Sequence, residues 1–447
     1  MKAYLLTLAL TSPLTLAATP PPATKPALYD IAAATNAQRM RNDVQQLVNF
    51  GTRHTLSSQT DPHRGIGAAT NWVESQFKAI SRQCGDCLQV IRVSDTVSGK
   101  RIPKPTKVTN VLAIKWGKTD KMRMVLLSGD IDSRVSDVMN ATDDSPGAND
   151  NASGVAATLE AARVLSQYDF PGTIVFAALS GEEQGLYGGQ ILAAYAKKHG
   201  WQIEAVINND MIGNTHGIDS IVDNHTVRVF SEGTRATETA DEARIRRFTG
   251  GEVDSPSRNL GRYIKALVHQ YLPKLDVMMV YRLDRFGRGG HHKPFNDAGF
   301  PGVRLMEAHE NYNRQHQDVR TENGIAYGDV ISGIDFHYAA HITALDAVTL
   351  ASLAWAPAPP KGVSINGAVS PDTTLRWQKG DDKQLAGYKI YWRLTTSPTW
   401  THSRFVGKVD RFTLKGVVID NYFFGVSAVA KDGTESPVVF PGAAGAF

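Results

Sequence analysis

The chain is poor in cysteine, with Cys84 and Cys87 its only two in 447 residues. A tetrahedral thiolate zinc site would need two more. A redox pair would be expected to open a helix. Here Cys84-Gly85-Asp86-Cys87 falls between a helix-like stretch, 71–80, and a strand-like one, 88–93, so the expected role is a local structural disulfide. Long apolar runs are missing too: none approaches the ~20 residues needed to cross a bilayer, so no transmembrane segment is expected. Charge of one sign is also scarce. The net charge is only +4, and no Lys/Arg-rich run stands out, which argues against nucleic acid as a partner. No internal repeat is visible. What is present, 42% hydrophobic and 21% charged residues, is ordinary globular material in a chain long enough for more than one domain.

The two ends differ from the middle. Residues 1–17 read as a secretory signal: Lys2 gives a basic start, 4–10 an apolar core, and Ala17-Ala18 a small-residue cleavage site. The expected location is therefore periplasmic or secreted. Residues 18–34 are a Pro/Ala-rich lead-in. Residues 35–355 form the main domain. Helical apolar spacing marks 36–50, 66–80, 152–165, 186–198, 259–271 and 327–354, and strands alternate with helices from 88 to 210. The stretch 356–361, rich in Pro and Ala, reads as a stiff linker. Beyond it, 362–447 carries short alternating strands and is expected to fold as a small β-sandwich.

Acidic clusters at the ends of apolar runs carry the chemistry. Met124-Val125-Leu126-Leu127 leads into Asp130 and Asp132. Thr173-Ile174-Val175-Phe176 leads into Gly181-Glu182-Glu183. Ala205-Val206-Ile207 leads into Asp210. Pro146-Gly147-Ala148-Asn149-Asp150 opens a helix of small residues. Short β-branched runs ending in Gly or Ser turns are buried strands of an α/β sheet, and ligands of such sheets gather beyond the strands' carboxyl ends. The expected fold class is thus α/β, a mixed, mostly parallel sheet flanked by helices, plus the all-β sandwich. So many carboxylates cannot share a partly buried site without cations among them. The economical expectation is two divalent metal ions, zinc by preference, with manganese or cobalt as alternatives.

These motifs, in this order, resemble those of the secreted co-catalytic zinc aminopeptidases, a family that includes glutamate carboxypeptidases and, more distantly, glutaminyl cyclases. The family pattern is Gly-His-x-Asp-Ser, Pro-Gly-Ala-x-Asp-Asn-x-Ser-Gly, Gly-Glu-Glu-x-Gly-Leu, Asp-Met-Ile-Gly and a late histidine, and the similarity spans roughly residues 36–350. The resemblance implies a zinc exopeptidase fold and a peptide substrate. It implies that Asp150 bridges the metals, that Glu182 is the general base, and that Glu183, Asp210 and His316 are ligands. It also implies that Asp132 supports the site from behind. Two positions depart from the pattern. Asp130 stands where the family has a ligand histidine, and is expected to bind metal through oxygen. His291 stands where the family more often has aspartate in Ser-Asp-His-x-Pro-Phe; the following His292 is expected near the substrate pocket. The remaining histidines read as surface or packing residues. Residues 362–447 resemble a fibronectin type III module, with Trp377 as its inner tryptophan and Tyr422 as its late-strand tyrosine; nothing in the sequence names a ligand for it.

The expected function is an exported metallo-aminopeptidase. A carboxypeptidase or a cyclase uses much of the same framework. A metal-poor binding protein is the rival outside enzymes, but neither Glu182 nor Asp150 is lost. Since every candidate residue precedes the linker, a chain ending near Trp355 is expected to keep hydrolysing small substrates.

Overall fold

A computed structural model describes residues 18–447; the signal-like stretch 1–17 lies outside the described residues. The chain begins with α1 (Pro26–Ala33), α2 (Ala37–Val48) and α3 (Ile66–Gln83). Asn36 caps α2 by accepting from Arg39 N, and α3 buries Val73, Phe77 and Ile80 along one stripe. Cys84 and Cys87, just past α3, are disulfide-bonded.

Three strands follow without a helix between them: β1 (Gln89–Gly99), β2 (Ile102–Lys115) and β3 (Asp120–Asp130). The expected alternation therefore starts later than 88. The physical reason is the tight connection at Gly99, which pairs with Ile102 and folds β1 back on β2 as an antiparallel hairpin. From β3 onward the alternation holds, through α4 (Gly154–Leu165), β4 (Gly172–Leu179), α5 (Tyr187–Lys198) and β5 (Gln202–Asn209). Next come β6 (Thr226–Ser231), α6 (Ala240–Thr249), α7 (Pro256–Tyr271), β7 (Asp276–Val280), α8 (His292–Asp297) and β8 (Gly302–Glu307). A small hairpin, β9 (Arg320–Glu322) and β10 (Ile325–Tyr327), precedes α9 (Phe336–Trp355). The last helix thus starts later than the expected 327. Residues 320–327 are spent on the hairpin, and Asp335 caps α9 by accepting from His337 N and Tyr338 N.

The main sheet has the order β1-β2-β4-β3-β5-β8-β6-β7. Its centre, β4-β3-β5-β8, is parallel. Antiparallel pairings join β2 to β4 and β6 to β8. Successive residues of β3 serve opposite faces, as strand geometry requires. Val125 and Leu127 pack with Val155 and Leu159 of α4 and Leu350 of α9, whereas Met124 and Leu126 pack with Leu192 of α5 and Phe295 of α8. With helices on both faces, the central strands are buried along most of their length.

The C-terminal part is all β. Strands β11 (Ser364–Asn366), β12 (Thr373–Arg376), β13 (Leu385–Leu394), β14 (His402–Gly407), β15 (Arg411–Leu414) and β16 (Tyr422–Ala430) form two antiparallel sheets, β11-β12-β15 and β14-β13-β16. Trp377, Tyr388, Ile390 and Phe424 fill the core they share, with Tyr422 at its margin. This part is docked on the α/β part. Arg393 Nη2 donates to both oxygens of Asp254 at 2.8 Å, and Tyr263 OH donates to Glu435 O at 2.9 Å. No described helix is long and apolar enough to cross a membrane.

Candidate metal centre

Parallel β3, β4 and β5 end at one edge, and their carboxyl ends deliver Asp130, Glu182-Glu183 and Asp210 there. Asp150 comes from the turn 148–153 that feeds α4, where its own backbone (φ −107°, ψ 88°) is not helical. That turn sits hard against the strand end. A Cβ on Gly129 would lie 2.2 Å from the carbonyl carbon of Gly154, so only glycine lets α4 start so close to β3. The peptide bonds Asp150–Asn151 and Asp210–Met211 are both cis.

Across this edge lies the loop ahead of β9, which carries His316. Its Nε2 is 2.9 Å from Asp150 Oδ2 and 3.0 Å from Glu183 Oε1. Among the described residues, Asp150, Glu183 and His316 are the one group of three or more potential ligands whose donor atoms all lie within 4.8 Å of one another. His316 holds a left-handed backbone, φ 55°. A non-glycine residue pays roughly 1–3 kcal/mol for such a conformation and keeps it where its surroundings fix it. Supports surround the group. Asp329 accepts from Asn149 N and Asp150 N at 2.8 and 2.6 Å. Gln315 Nε2 donates to Asp150 Oδ2 at 3.2 Å. Arg134 Nε pairs with Glu183 Oε2 at 3.0 Å, and its Nη2 lies 2.6 Å from His316 Nδ1.

Electrostatics at the edge is strained by like charge. Burial, then the charge of Glu183 and of Asp210, Asp130 and Asp150, pushes the Glu182 carboxyl well above its usual range. Burial alone would raise Asp150 as well, but the His316 imidazole and the Gln315 amide hold it well below the usual carboxylate range. Burial opposes charge on His316, yet Glu183 and Asp150 outweigh it and lift its pKa to about 9. Arg134 pulls the other way, because its contact with Nδ1 asks that nitrogen to accept. Metal binding through Nε2 likewise requires the neutral ring.

Asp132 lies behind the Glu182-Glu183 turn. It touches no imidazole ligand. Its carboxylate accepts from Glu182 N at 3.2 Å, Glu183 N at 3.1 Å and Thr55 Oγ1 at 2.9 Å, so it positions the Glu182-Glu183 turn. Burial, then Glu183, raises its pKa to about 6.

A family model for peptidase family M28 matches residues 110–330. A probable zinc metalloprotease of Leptosphaeria maculans is 40% identical, over 94% of this chain and 98% of its own length. Another, from Pyricularia oryzae, is 43% identical over 90% of this chain and 82% of its own. The chain belongs to peptidase family M28. Among solved structures, the LapA aminopeptidase of Legionella pneumophila shares the fold, with a TM-score of 0.55 and 17% identity over 76% of this chain and 78% of that one.

As an M28 member the chain is a zinc-dependent metallopeptidase, and one imidazole with two carboxylates is a donor set that fits a catalytic zinc ion, leaving a position open. The structure does not bring the other sequence-predicted ligands into that group. Asp130 is buried, with Oδ1 against His291 Nδ1 and Oδ2 accepting from Asn151 Nδ2 at 2.7 Å. Asp210 lies against Arg304, whose Nη2 is 2.9 Å from Asp210 Oδ2. His292 has no exposed surface, and its Nε2 meets the Leu283 carbonyl at 2.9 Å. Arg134, Arg304 and Asp329 were not singled out from the sequence. Arg304 did leave a signal, a charge in the middle of the buried strand Gly302-Val303-Arg304-Leu305-Met306.

Proposed function

We propose that this M28 member is an exported aminopeptidase, removing N-terminal residues from peptides. The observation that carries the reading is the placement of Glu182. Its backbone is fixed by Asp132, and its carboxyl lies among Glu183, Asp210, Asp130 and Asp150, one residue from the Asp150–Glu183–His316 group. A zinc ion held by Asp150, Glu183 and His316 would polarise the scissile carbonyl, acidify the attacking water and offset the repulsion among the carboxylates. Glu182 takes the proton of that water as it attacks and delivers it to the leaving amine. Asp132 keeps the Glu182-Glu183 turn in register during the transfer. Gln315 and Asp329 hold Asp150, one at its carboxylate and the other at its backbone.

Export is part of the proposal, supported by the signal-like residues 1–17 and by the Cys84–Cys87 disulfide, which suits an oxidising compartment. So is a fibronectin type III-like identity for the C-terminal sheets, supported by the buried Trp377 between them. The test is a substrate panel with the purified full chain. Aminoacyl-anilides and free-N-terminal peptides are expected to be cleaved, N-blocked peptides spared, and a zinc chelator to abolish turnover. Release only of C-terminal residues, or only cyclisation of N-terminal glutamine, would replace this reading.

A further inference from the structure

We propose that the loop 281–291, between β7 and α8, holds a carboxylate of the peptide substrate on Arg285 and Arg288, beside the metal centre. The inference rests on the aminopeptidase reading and names the substrate it favours. That substrate carries a carboxylate close to its N-terminal residue, on an acidic side chain or at the carboxyl end of a very short peptide.

The observation is a surplus of guanidinium around one carboxylate. Glu310, buried just past β8, meets three arginines. Its Oε1 lies 3.0 Å from Arg228 Nη2. Its Oε2 is shared between Arg285 Nη1 and Arg288 Nη1, both at 3.3 Å. Burial opposes charge on Glu310, yet Arg285, Arg228 and Arg288 outweigh it and hold its carboxyl below the usual range. A guanidinium does not lose its proton in a protein, so one negative charge answers three positive ones. Asp284 does not make up the difference. Both its oxygens accept from Arg304 Nη1, at 3.1 and 3.2 Å, and Arg285 Nε comes no closer to it than 3.5 Å. Among the described residues that Nε is buried without a hydrogen-bond partner, a costly state for a charged donor. The Arg285 side chain is 9% exposed and that of Arg288 34%, so the pair leads from the interior to solvent.

The surplus lies next to the chemistry. Arg288 Nη1 also donates to Gln315 Oε1 at 3.4 Å, and Gln315 Nε2 donates to Asp150 Oδ2 at 3.2 Å. One glutamine side chain thus separates Arg288 from the Asp150–Glu183–His316 group. The strand ends themselves are crowded with acids and repel an anion. Arg134, the nearest guanidinium on the other side, is spent on Glu183 and His316. A substrate carboxylate is therefore drawn to the side of Arg285 and Arg288, where the planar fork of arginine matches its two oxygens. A dipolar peptide is oriented by the same pattern, its ammonium toward the acids and its carboxylate toward the loop.

The experiment compares matched substrates on the zinc-loaded full chain. Glutamyl-p-nitroanilide against glutaminyl-p-nitroanilide tests an acidic N-terminal side chain. Leucyl-glycine against leucyl-glycinamide tests a nearby carboxyl end. In at least one pair the acid is expected to exceed its neutral partner in kcat/KM by roughly tenfold or more, the worth of a charged hydrogen bond. The pair that shows the preference tells which carboxylate is held. Arg288→Gln should bring that ratio down toward one, and Arg288→Lys, which keeps the charge, should recover part of it. No preference for the acid in either pair would overturn the inference, and so would a preference that Arg288→Gln leaves untouched; both results keep the aminopeptidase reading. No cleavage of these or any other free-N-terminal substrate would overturn both.

Discussion

On the proposed mechanism Glu182 is where a proton changes hands, and Asp132 holds its turn through the amides of Glu182 and Glu183. Glu182→Gln keeps size and shape, leaves Asp150, Glu183 and His316 untouched and removes only proton transfer. Its kcat is expected to fall by ~10²–10⁴-fold, with zinc content and unfolding midpoint unchanged. A near-normal kcat would show that another group is the base. A second residue reports on stability instead of turnover. Asp43 is buried on α2 with Oδ2 unpartnered. Burial raises its pKa to about 7, with Glu160 adding to the effect and Arg39 opposing it. The native chain then keeps a proton that the unfolded chain has released above its ordinary value of 3.8. Asp43's contribution to stability should accordingly be fullest below that value, decline as pH climbs toward 7, and level off beyond. The decline amounts to a few kcal/mol at most, since each tenfold change in a protonation equilibrium is worth about 1.4 kcal/mol. Asp43→Asn has no proton to lose, so its unfolding free energy should change less than the parent's between pH 5 and pH 8. An identical change in both proteins would assign the effect elsewhere.

Elements were legible where their signals are local. The runs that became β3 and β4 close on a Ser-Gly turn with an acid behind it, and that of β5 on Asn208-Asn209 ahead of Asp210; those acids reach one edge because parallel strands share a carboxyl end. Glu182 and Glu183 could be named for the same reason, Asp150 from the small-residue helix it opens, and His316 only from the family resemblance. The start of α9 could not, because helical spacing before Phe336 competes with a hairpin whose pairing is tertiary. Nor could the Asp130–His291 contact, which joins positions 161 apart in sequence. Each departure was visible alone; only the fold of β3 against α8 shows that they compensate each other. The charge of Arg304 was visible, but nothing near it in sequence points at Asp210. Helix α7 shows how much one cap carries at this scale. Ser255 accepts from Arg258 N at 3.1 Å and donates to Glu232 O at 2.7 Å, just ahead of Pro256. Ser255→Ala is expected to cost ~1–2 kcal/mol, seen as a lower denaturant midpoint at unchanged slope. Ser255→Thr should recover most of it, and an equal loss in both would mean that packing, not the cap, is at stake.

At the scale of the whole molecule, the linker residues 356–361 suggest an independent C-terminal part, but the contacts say otherwise. Asp254, fully buried, is shared between Arg262 of α7, at 2.9 Å, and Arg393 of β13, at 2.8 Å. Arg262 Nε also donates to Pro398 O at 2.7 Å. At the other end of the interface Lys25 Nζ pairs with Asp432, ahead of α1. Ending the chain near Trp355 removes no candidate catalytic residue, so the expectation of retained chemistry stands for whatever fraction folds. It also strips Arg393 from Asp254, Pro398 from Arg262 and Glu435 from Tyr263, and opens that polar network to water. The shortened chain is therefore expected to unfold at a lower temperature and aggregate sooner. When assayed cold it should keep its zinc and nearly the parent kcat/KM on small anilides. Arg393→Met in the full chain isolates the central contact. Taking one partner from a buried ion pair costs about 3–5 kcal/mol, and the surviving Arg262 should hold the loss near the lower figure. The measurement is the unfolding midpoint of parent, Arg393→Met and shortened chain side by side. If all three coincide, the C-terminal sheets are a passenger on the peptidase; if the midpoint falls in that order while kcat/KM in the cold does not, the sheets brace a site to which they contribute no residue.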